Sequence, residues 1–423
     1  MVNPKMTPYG TDEQPNGLPP RKVRQQARNK AARRKTFRLV GTLALLLTIC
    51  WAAYGLYSVF HPLLFSPSDA STQPIPSVSQ NTANDTEPAP TPEHPGPHQP
   101  SVPPNANEHV HGVRLMFVGD TMMDGNVANV MQQMGDSYPL SEFMPVLQQA
   151  DLVVANLETA VGTSGQKIEK TYAFQTDPAR FALFEPLKGR ILFTLANNHG
   201  MDAQLEETLH HLTRLGYPAI GIGQNRDEAF RPFVTEINGV RLAILGASRV
   251  IPTVDWAADE HRPGMASAYT DEPLLSTVQK WRQQVDHVIV YMHWGKEREH
   301  IPDDTQQKLA QKLLDAGARL VIGAHPHVLQ ELRWTSHNQL VAFSLGNFVF
   351  TTSTEAAAND TVVLDVVLSK ERIAEVRVWP GRIHFGLIRR LDADPEGADI
   401  RQRLDALSPT IRIGPDGKVS PLQ

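Results

Sequence analysis

The sequence predicts an α/β domain over residues 111–390, preceded by one transmembrane helix and a disordered linker. Three observations predict it. From Val113 onward, short β-branched runs alternate with segments whose apolar residues recur at helical spacing. Residues 39–60 contain no charged side chain over 22 positions. Residues 66–108 hold eleven of the 33 prolines. At 423 residues, 41% hydrophobic and 20% charged, the chain can build a packed core, which excludes a wholly disordered or collagen-like protein.

Residues 1–38 carry ten Lys/Arg and two acids, a net +8, which leaves −13 for the remainder. The uncharged segment that follows would span about 33 Å as a helix, enough for a hydrocarbon core of roughly 30 Å. A cleaved signal peptide has a shorter apolar stretch and a small-residue cleavage site. Here Trp51, Tyr54, Tyr57 and Phe60 close the segment instead, as an interfacial belt does. The basic flank sets the N-terminus in the cytoplasm and the rest outside the cell membrane. Because the basic run abuts the span, it is read as an orientation signal, and no nucleic-acid partner is expected. The one cysteine, Cys50, lies in the span, so disulfides and thiolate metal sites are excluded for the exported part. Residues 61–110 form an extended proline-rich spacer that lacks the apolar surface to offset ordering entropy. His94, His98, His109 and His111 fall there or at its end and read as solvated.

Within the domain, residues 113–118, 152–155, 191–195, 241–245, 288–292, 320–322 and 340–344 read as strands, several apolar throughout as in sheets covered on both faces. Residues 204–215 read as a helix through Leu205, Leu209 and Leu212, stopped by Gly216. Residues 304–316 read the same way through Leu309 and Leu313, stopped by Gly317. After Phe350 the pattern predicts strands at 361–368, 373–378 and 382–388, then a polar tail over 391–423.

The chemistry sits where strands end. Asp120 ends the first, Glu158 follows the second, Asn198 and His199 follow the third with Asp202 beyond. His293 follows the fifth, and His325 and His327 flank Pro326 after the sixth. In an open α/β sheet those ends share one edge, where ligand sites form. Imidazoles, carboxylates and an amide oxygen are a donor set for two borderline divalent ions. Taken singly, Asp120 could be a turn residue, Glu158 a loop acid, His293 a core histidine and Asp202 the N-cap of the helix behind it. The His325/His327 pair is harder to explain as packing. His210 and His211 lie inside a helical pattern. Lys296, Glu297 and Arg298, beside His293, could bind an anionic substrate or form a solvated charge cluster.

In chain order the sequence carries GD at Asp120, NLE at 156–158, ANNHxxD at 196–202, HWGxE at 293–297, GAHPHV at 323–328 and SLGNF at 344–348. This series resembles the CapA family, bacterial capsule-biosynthesis proteins associated with poly-γ-glutamate, over residues 113–352. That family is similar to calcineurin-like metallophosphatases. The resemblance therefore implies a β-sandwich flanked by helices around a dinuclear centre of divalent ions such as Mn, Fe or Zn. It implies metal ligands at Asp120, Glu158 (bridging), Asn198, His293, His325 and His327, with His199 protonating a leaving group and Asp202 orienting it. Metallophosphatases usually place a histidine two positions after the first aspartate, and this chain has Met122 there. The implied function is support of poly-γ-glutamate synthesis or export by a membrane-anchored protein, with synthase subunits as partners. Two alternatives are an extracellular metal-dependent hydrolase of a phosphoester or γ-glutamyl amide, and a polymer-binding module without turnover.

Overall fold

The computed structural model describes residues 112–422. The basic segment, the anchor and the linker expected from the sequence lie outside the described residues. Among the described residues no helix is long and apolar enough to cross a membrane.

Two large sheets carry the fold. In chain order their strands are β1 (Val113–Thr121), β2 (Leu152–Leu157), β3 (Ile191–Thr194), β4 (Ala219–Ile220), β5 (Phe233–Ile237), β6 (Val240–Ser248), β7 (His287–His293), β8 (Ala318–Ala324), β9 (Leu332–Trp334), β10 (Leu340–Ala342), β11 (Asp360–Leu368), β12 (Ile373–His384) and β13 (Leu387–Arg390). The first sheet has the order β13-β12-β11-β1-β2-β3-β4, and the second the order β9-β10-β8-β7-β6-β5. Strands β1 to β4 run parallel, as do β6, β7, β8 and β10, so their carboxyl ends gather at one side of each sheet.

Strand side chains alternate between two buried faces, as period-two geometry requires. Leu115 and Phe117 of β1 join Ile289 and Tyr291 of β7 in the core between the sheets. Met116 and Val118 face the other way, toward Val127 and Met131 of helix α1 (Gly125–Met134) and Leu212 of α2 (Leu205–Leu215). On the far side of the second sheet, Val288, Val290 and Met292 meet Leu274 and Val278 of α3 (Glu272–Trp281) and Leu309 and Leu313 of α4 (Asp304–Ala316). The sheets are therefore sandwiched between helices. One polar tie crosses the inner core: the Tyr291 hydroxyl donates to the Val118 carbonyl at 2.7 Å.

The two helices read from the sequence end where glycine was expected to stop them, with Gly216 at φ 77° and Gly317 at φ 112° in the left-handed region. The start of α4 is fixed by a capping box in which Asp303 and Gln306 satisfy each other's backbone amides. Two expectations need correction. Residues 382–388 are not one strand: the chain turns at Phe385 and Gly386 (φ 48° and 77°), joining β12 to β13. Residues 391–422 are not a loose tail. They form α5 (Pro395–Leu407) and a small hairpin, and Ile400, Leu404, Ile411 and Val419 lie in the inter-sheet core. Their apolar residues are too sparse to mark an amphipathic pattern, yet these four are buried.

At the opposite end of β7 from the functional edge, the His287 ring is buried. Its Nδ1 accepts from Arg319 Nε (3.2 Å), and its Nε2–H donates to the Ser369 carbonyl (2.6 Å). Burial holds its pKa below the ordinary 6.5. The stabilising neutral form is thus fully present above about 6.5, and its contribution is lost as pH falls below that toward the folded value. His287→Gln is expected to flatten the fall of stability below pH 6.5 by up to about 1.4 kcal/mol per pH unit. Denaturation of both proteins across pH 5–7 checks this, and parallel profiles would remove the assignment.

Candidate metal centre

β1 and β2 pair in register up to Val118, then shift so that Asp120 faces Asn156. The shift re-aims the Asp120 carboxylate at the end of the strand. Glycine is required just before it, since a Cβ at Gly119 would stand 1.8 Å from the Gly346 carbonyl oxygen. Asp120 is fully buried. Its oxygens accept from Asn156 Nδ2 (2.7 Å) and from the His325 backbone amide (3.3 Å). Asn156 is itself oriented by Asn197, whose Nδ2 donates to Asn156 Oδ1 at 3.0 Å.

Glu158 is the centre of the constellation. It is fully buried, and neither carboxylate oxygen has a hydrogen-bond partner. Around its Oε1 stand His293 Nε2 and His327 Nε2, each at 3.8 Å, and His199 Nε2 at 4.0 Å. These separations are long for hydrogen bonds but suit ligands sharing an ion, because bonds of about 2.1 Å hold donors ~3–4 Å apart. A buried carboxylate without partners is costly, and a cation is the group that relieves it. Two wholly buried sets of donors lie within 4.8 Å of one another: Glu158, His293 and His325, and Asp120, Glu158 and His327. The residues fit divalent ions.

The imidazoles are held for that task. Asn347 Nδ2 donates to the Ala358 carbonyl (3.0 Å), which leaves Asn347 Oδ1 to accept from His327 Nδ1 (2.7 Å). The proton is thus on Nδ1, and the lone pair of Nε2 points toward Glu158. His293 Nε2 and Asn198 Oδ1 face each other at 2.6 Å, and two lone-pair atoms so close need a proton or a cation between them. The Nδ1 of His325 is buried without a partner. Both residues of the His-Pro-His turn have positive φ, 96° at His325 and 56° at His327. For non-glycine residues this stores about 1–3 kcal/mol each, of the kind that collects at functional sites.

Burial dominates the electrostatics. It pushes the Glu158 carboxyl well above the usual carboxylate range, with the Asp120 charge adding to it. It also works to raise Asp120, but the His327 imidazole and the Asn156 amide outweigh it and hold that carboxyl low. Burial and neighbouring imidazoles push His293 well down and His325 to about 3, so both are neutral. His327 is drawn down by burial and up by Asp120, and Asp120 prevails. The neutral imidazoles of His293 and His325 and the low carboxyl of Asp120 are in the protonation state a metal requires, and a cation bound beside Glu158 would favour its ionised form.

Beside this group His199 Nδ1 lies 2.6 Å from Asp202 Oδ2. Asp202 is fully buried and accepts from the Phe174 amide (2.7 Å), while α2 is capped by Gln204, so the N-cap alternative for Asp202 is excluded. The sequence reading missed Lys170. Its ammonium touches Asp202 Oδ1 (2.5 Å), the Asn198 carbonyl (2.6 Å) and His199 Nδ1 (3.1 Å), and it lies over the Trp256 ring. It stands in a polar loop with no periodic pattern, and nothing local marks it. Asn347 was visible inside SLGNF but carried no role. Phe174 packs at a tilt against His199, and Phe350 against His327, with ring centroids 4.6 and 5.3 Å apart. Lys296, Glu297 and Arg298 are exposed, and Arg298 pairs with Glu355 (3.6 Å), which favours the solvated cluster over an anion site for that arginine. His210 is exposed on α2, away from the constellation.

Residues 114–352, more than half of the chain, match the family described as bacterial capsule synthesis protein PGA_cap. The chain belongs to this family. Among PGA_cap relatives, the PGA biosynthesis protein CapA of Bacillus subtilis (strain 168) is 29% identical over 274 residues, covering 63% of this chain and 71% of its own length. The capsule biosynthesis protein CapA of Bacillus anthracis is 29% identical over 289 residues, covering 63% and 69%. A probable polyglutamine synthesis accessory protein of Mycobacterium tuberculosis (strain CDC 1551 / Oshkosh) is 27% identical over 206 residues, covering 45% and 54%. From Asp120 to Asn347, every converging residue named above lies inside the PGA_cap stretch.

Proposed function

We propose that this protein supports the synthesis or export of a poly-γ-glutamate capsule, anchored in the cell membrane with its N-terminus in the cytoplasm and residues 112–422 outside. The observation that carries this reading is the family match, which spans the whole constellation of buried carboxylates and imidazoles. In this reading synthase subunits are the partners, and the domain holds two ions in a centre of metallophosphatase type. Asp120, Glu158 and His327 hold one, and Glu158, Asn198, His293 and His325 the other. Mn, Fe and Zn all suit this mixture of oxygen and imidazole donors. When bound, such ions polarise a phosphoryl or carbonyl oxygen as Lewis acids.

The His199–Asp202 pair favours a hydrolytic role for that centre, on a phosphoester or a γ-glutamyl amide. The short contact to Asp202 keeps the Nδ1 proton in place and turns Nε2 toward Glu158. From there His199, once protonated, hands a proton to a leaving group. Burial holds the His199 pKa below the ordinary 6.5 against the opposing pull of Asp202. Lys170 balances the Asp202 charge, and Phe174 covers one face of the imidazole.

The test is genetic. Deleting the gene in its host is expected to abolish surface polymer, measured as cell-bound glutamate after hydrolysis of the washed envelope. The full chain restores it and the His325→Ala chain does not. Polymer unchanged by deletion ends the proposal. Restoration by His325→Ala would leave a polymer-binding module without turnover. Protease added to intact cells of the same strains is expected to remove the folded domain, and protection until lysis would reverse the orientation.

A further inference from the structure

The ion expected at Asp120, Glu158 and His327 is one ligand short of the four common at imidazole-rich sites. Met122 stands where an imidazole was expected. It is buried, and its sulfur accepts from the Asp124 amide at 3.0 Å, a contact within its own turn. We infer that Glu297 supplies the missing ligand, so that the ion at this rim position is held by Asp120, Glu158, His327 and Glu297.

Three observations carry the inference. Glu297, His325 and His327 each present a ligand atom within 4.8 Å of one another, so Glu297 stands beside His327, a ligand of this ion, and also beside His325 of the other. The segment bearing Glu297 is fixed against the His-Pro-His turn, because the Arg298 amide donates to the Pro326 carbonyl at 2.8 Å. That turn is tight at both ends, with positive φ at Gly295 (89°) and Arg298 (67°). A Cβ at Gly295 would meet the Gln306 side chain at 2.7 Å, and Gln306 is itself held by Asp303 and by Gln330 (2.9 Å). So the glutamate is exposed, yet its backbone is placed as firmly as the two histidines it faces.

The exchange of imidazole for carboxylate has chemical consequences. The rim ion then has three carboxylates and one imidazole, a harder donor set that suits Mn²⁺. The other ion keeps the buried Glu158, His293 and His325 and the half-buried Asn198. The two positions therefore differ in exposure and in ligand type, and should differ in affinity.

This inference rests on the two-ion reading, and the experiment separates them. Purified full-length protein is stripped with chelator and titrated with Mn²⁺ alone, and bound ions are counted by equilibrium dialysis. The wild type and Glu299→Ala, which removes an exposed neighbour, are expected to bind two ions. Glu297→Ala is expected to keep one at unchanged affinity and to weaken the second at least ~10–100-fold, the range lost when even a ligand's orienting partner is removed. Glu297→Gln, which keeps the shape, should fall between. Two ions at unchanged affinity in Glu297→Ala would overturn the role of Glu297 and leave the two-ion centre standing. Loss of both ions together would also overturn it, since the buried set does not include Glu297. No ion bound by the wild type would remove both readings.

Discussion

Asp202→Asn is expected to lower turnover by about 10²–10⁴-fold, the span of general acid–base help, in a protein that still folds. The substitution keeps an acceptor for the Phe174 amide but removes the charge that steadies a protonated His199 and pairs with Lys170. The contact of the buried Asp202 carboxylate with the half-buried Lys170 ammonium makes the change costlier to stability than a surface one, by about 1–3 kcal/mol. His199→Ala should cost at least as much turnover, and the double variant little more, because the two act as one unit. Turnover of a nitrophenyl phosphate series, set beside thermal melts, checks the pattern. Full turnover per folded molecule in Asp202→Asn would reduce Asp202 to a scaffold acceptor for Phe174 and Lys170.

Removing either histidine of the His-Pro-His turn is expected to empty the centre. His327→Ala deletes the imidazole that Asn347 orients toward Glu158, and His325→Ala deletes a buried ring whose Nδ1 has no protein partner. Each should cut metal affinity by at least ~10–100-fold, since a direct ligand matters no less than the group that orients it. His210→Ala, on the exposed face of α2, should leave the metal content as it is. Elemental analysis after dialysis against a fixed trace of metal distinguishes them. Equal content in all three proteins would dissolve the assignment.

Much of this architecture was legible in the residues. The central strands announce themselves as apolar β-branched runs because both of their faces are buried, and α2 and α4 because leucine spacing and a closing glycine agree. The converging side chains were legible for a related reason: each lies at a strand end or in the loop just beyond it, so the sheet brings it to one edge. What stayed hidden depends on distance or on a rare backbone state. Lys170 reaches Asp202 and the Asn198 carbonyl from a loop whose sequence carries no pattern. The turn at Phe385 uses a positive φ that phenylalanine rarely adopts, so the sequence there reads as uninterrupted strand. In α5 the apolar positions are few, and only the tertiary packing shows that Ile400 and Leu404 are core. Glu297 looked like one member of a charged surface run, and only the turn that pins it to Pro326 sets it apart.

The strand β1 also governs when the domain can exist at all. It sits between β2, which follows it closely along the chain, and β11, which pairs Val113 with Leu368. A nascent chain can make the β2 side early, but the other edge of β1 waits until residues 360–368 have been made. The inner core waits longer, for Ile411 and Val419. A chain of such non-local pairing folds slowly, and in this one the aspartate, the glutamate and the His-Pro-His turn come together only near the end of that process. Until then the polypeptide is a thread without a finished centre, and the side chains of that centre gather only once nearly all of the domain has been made.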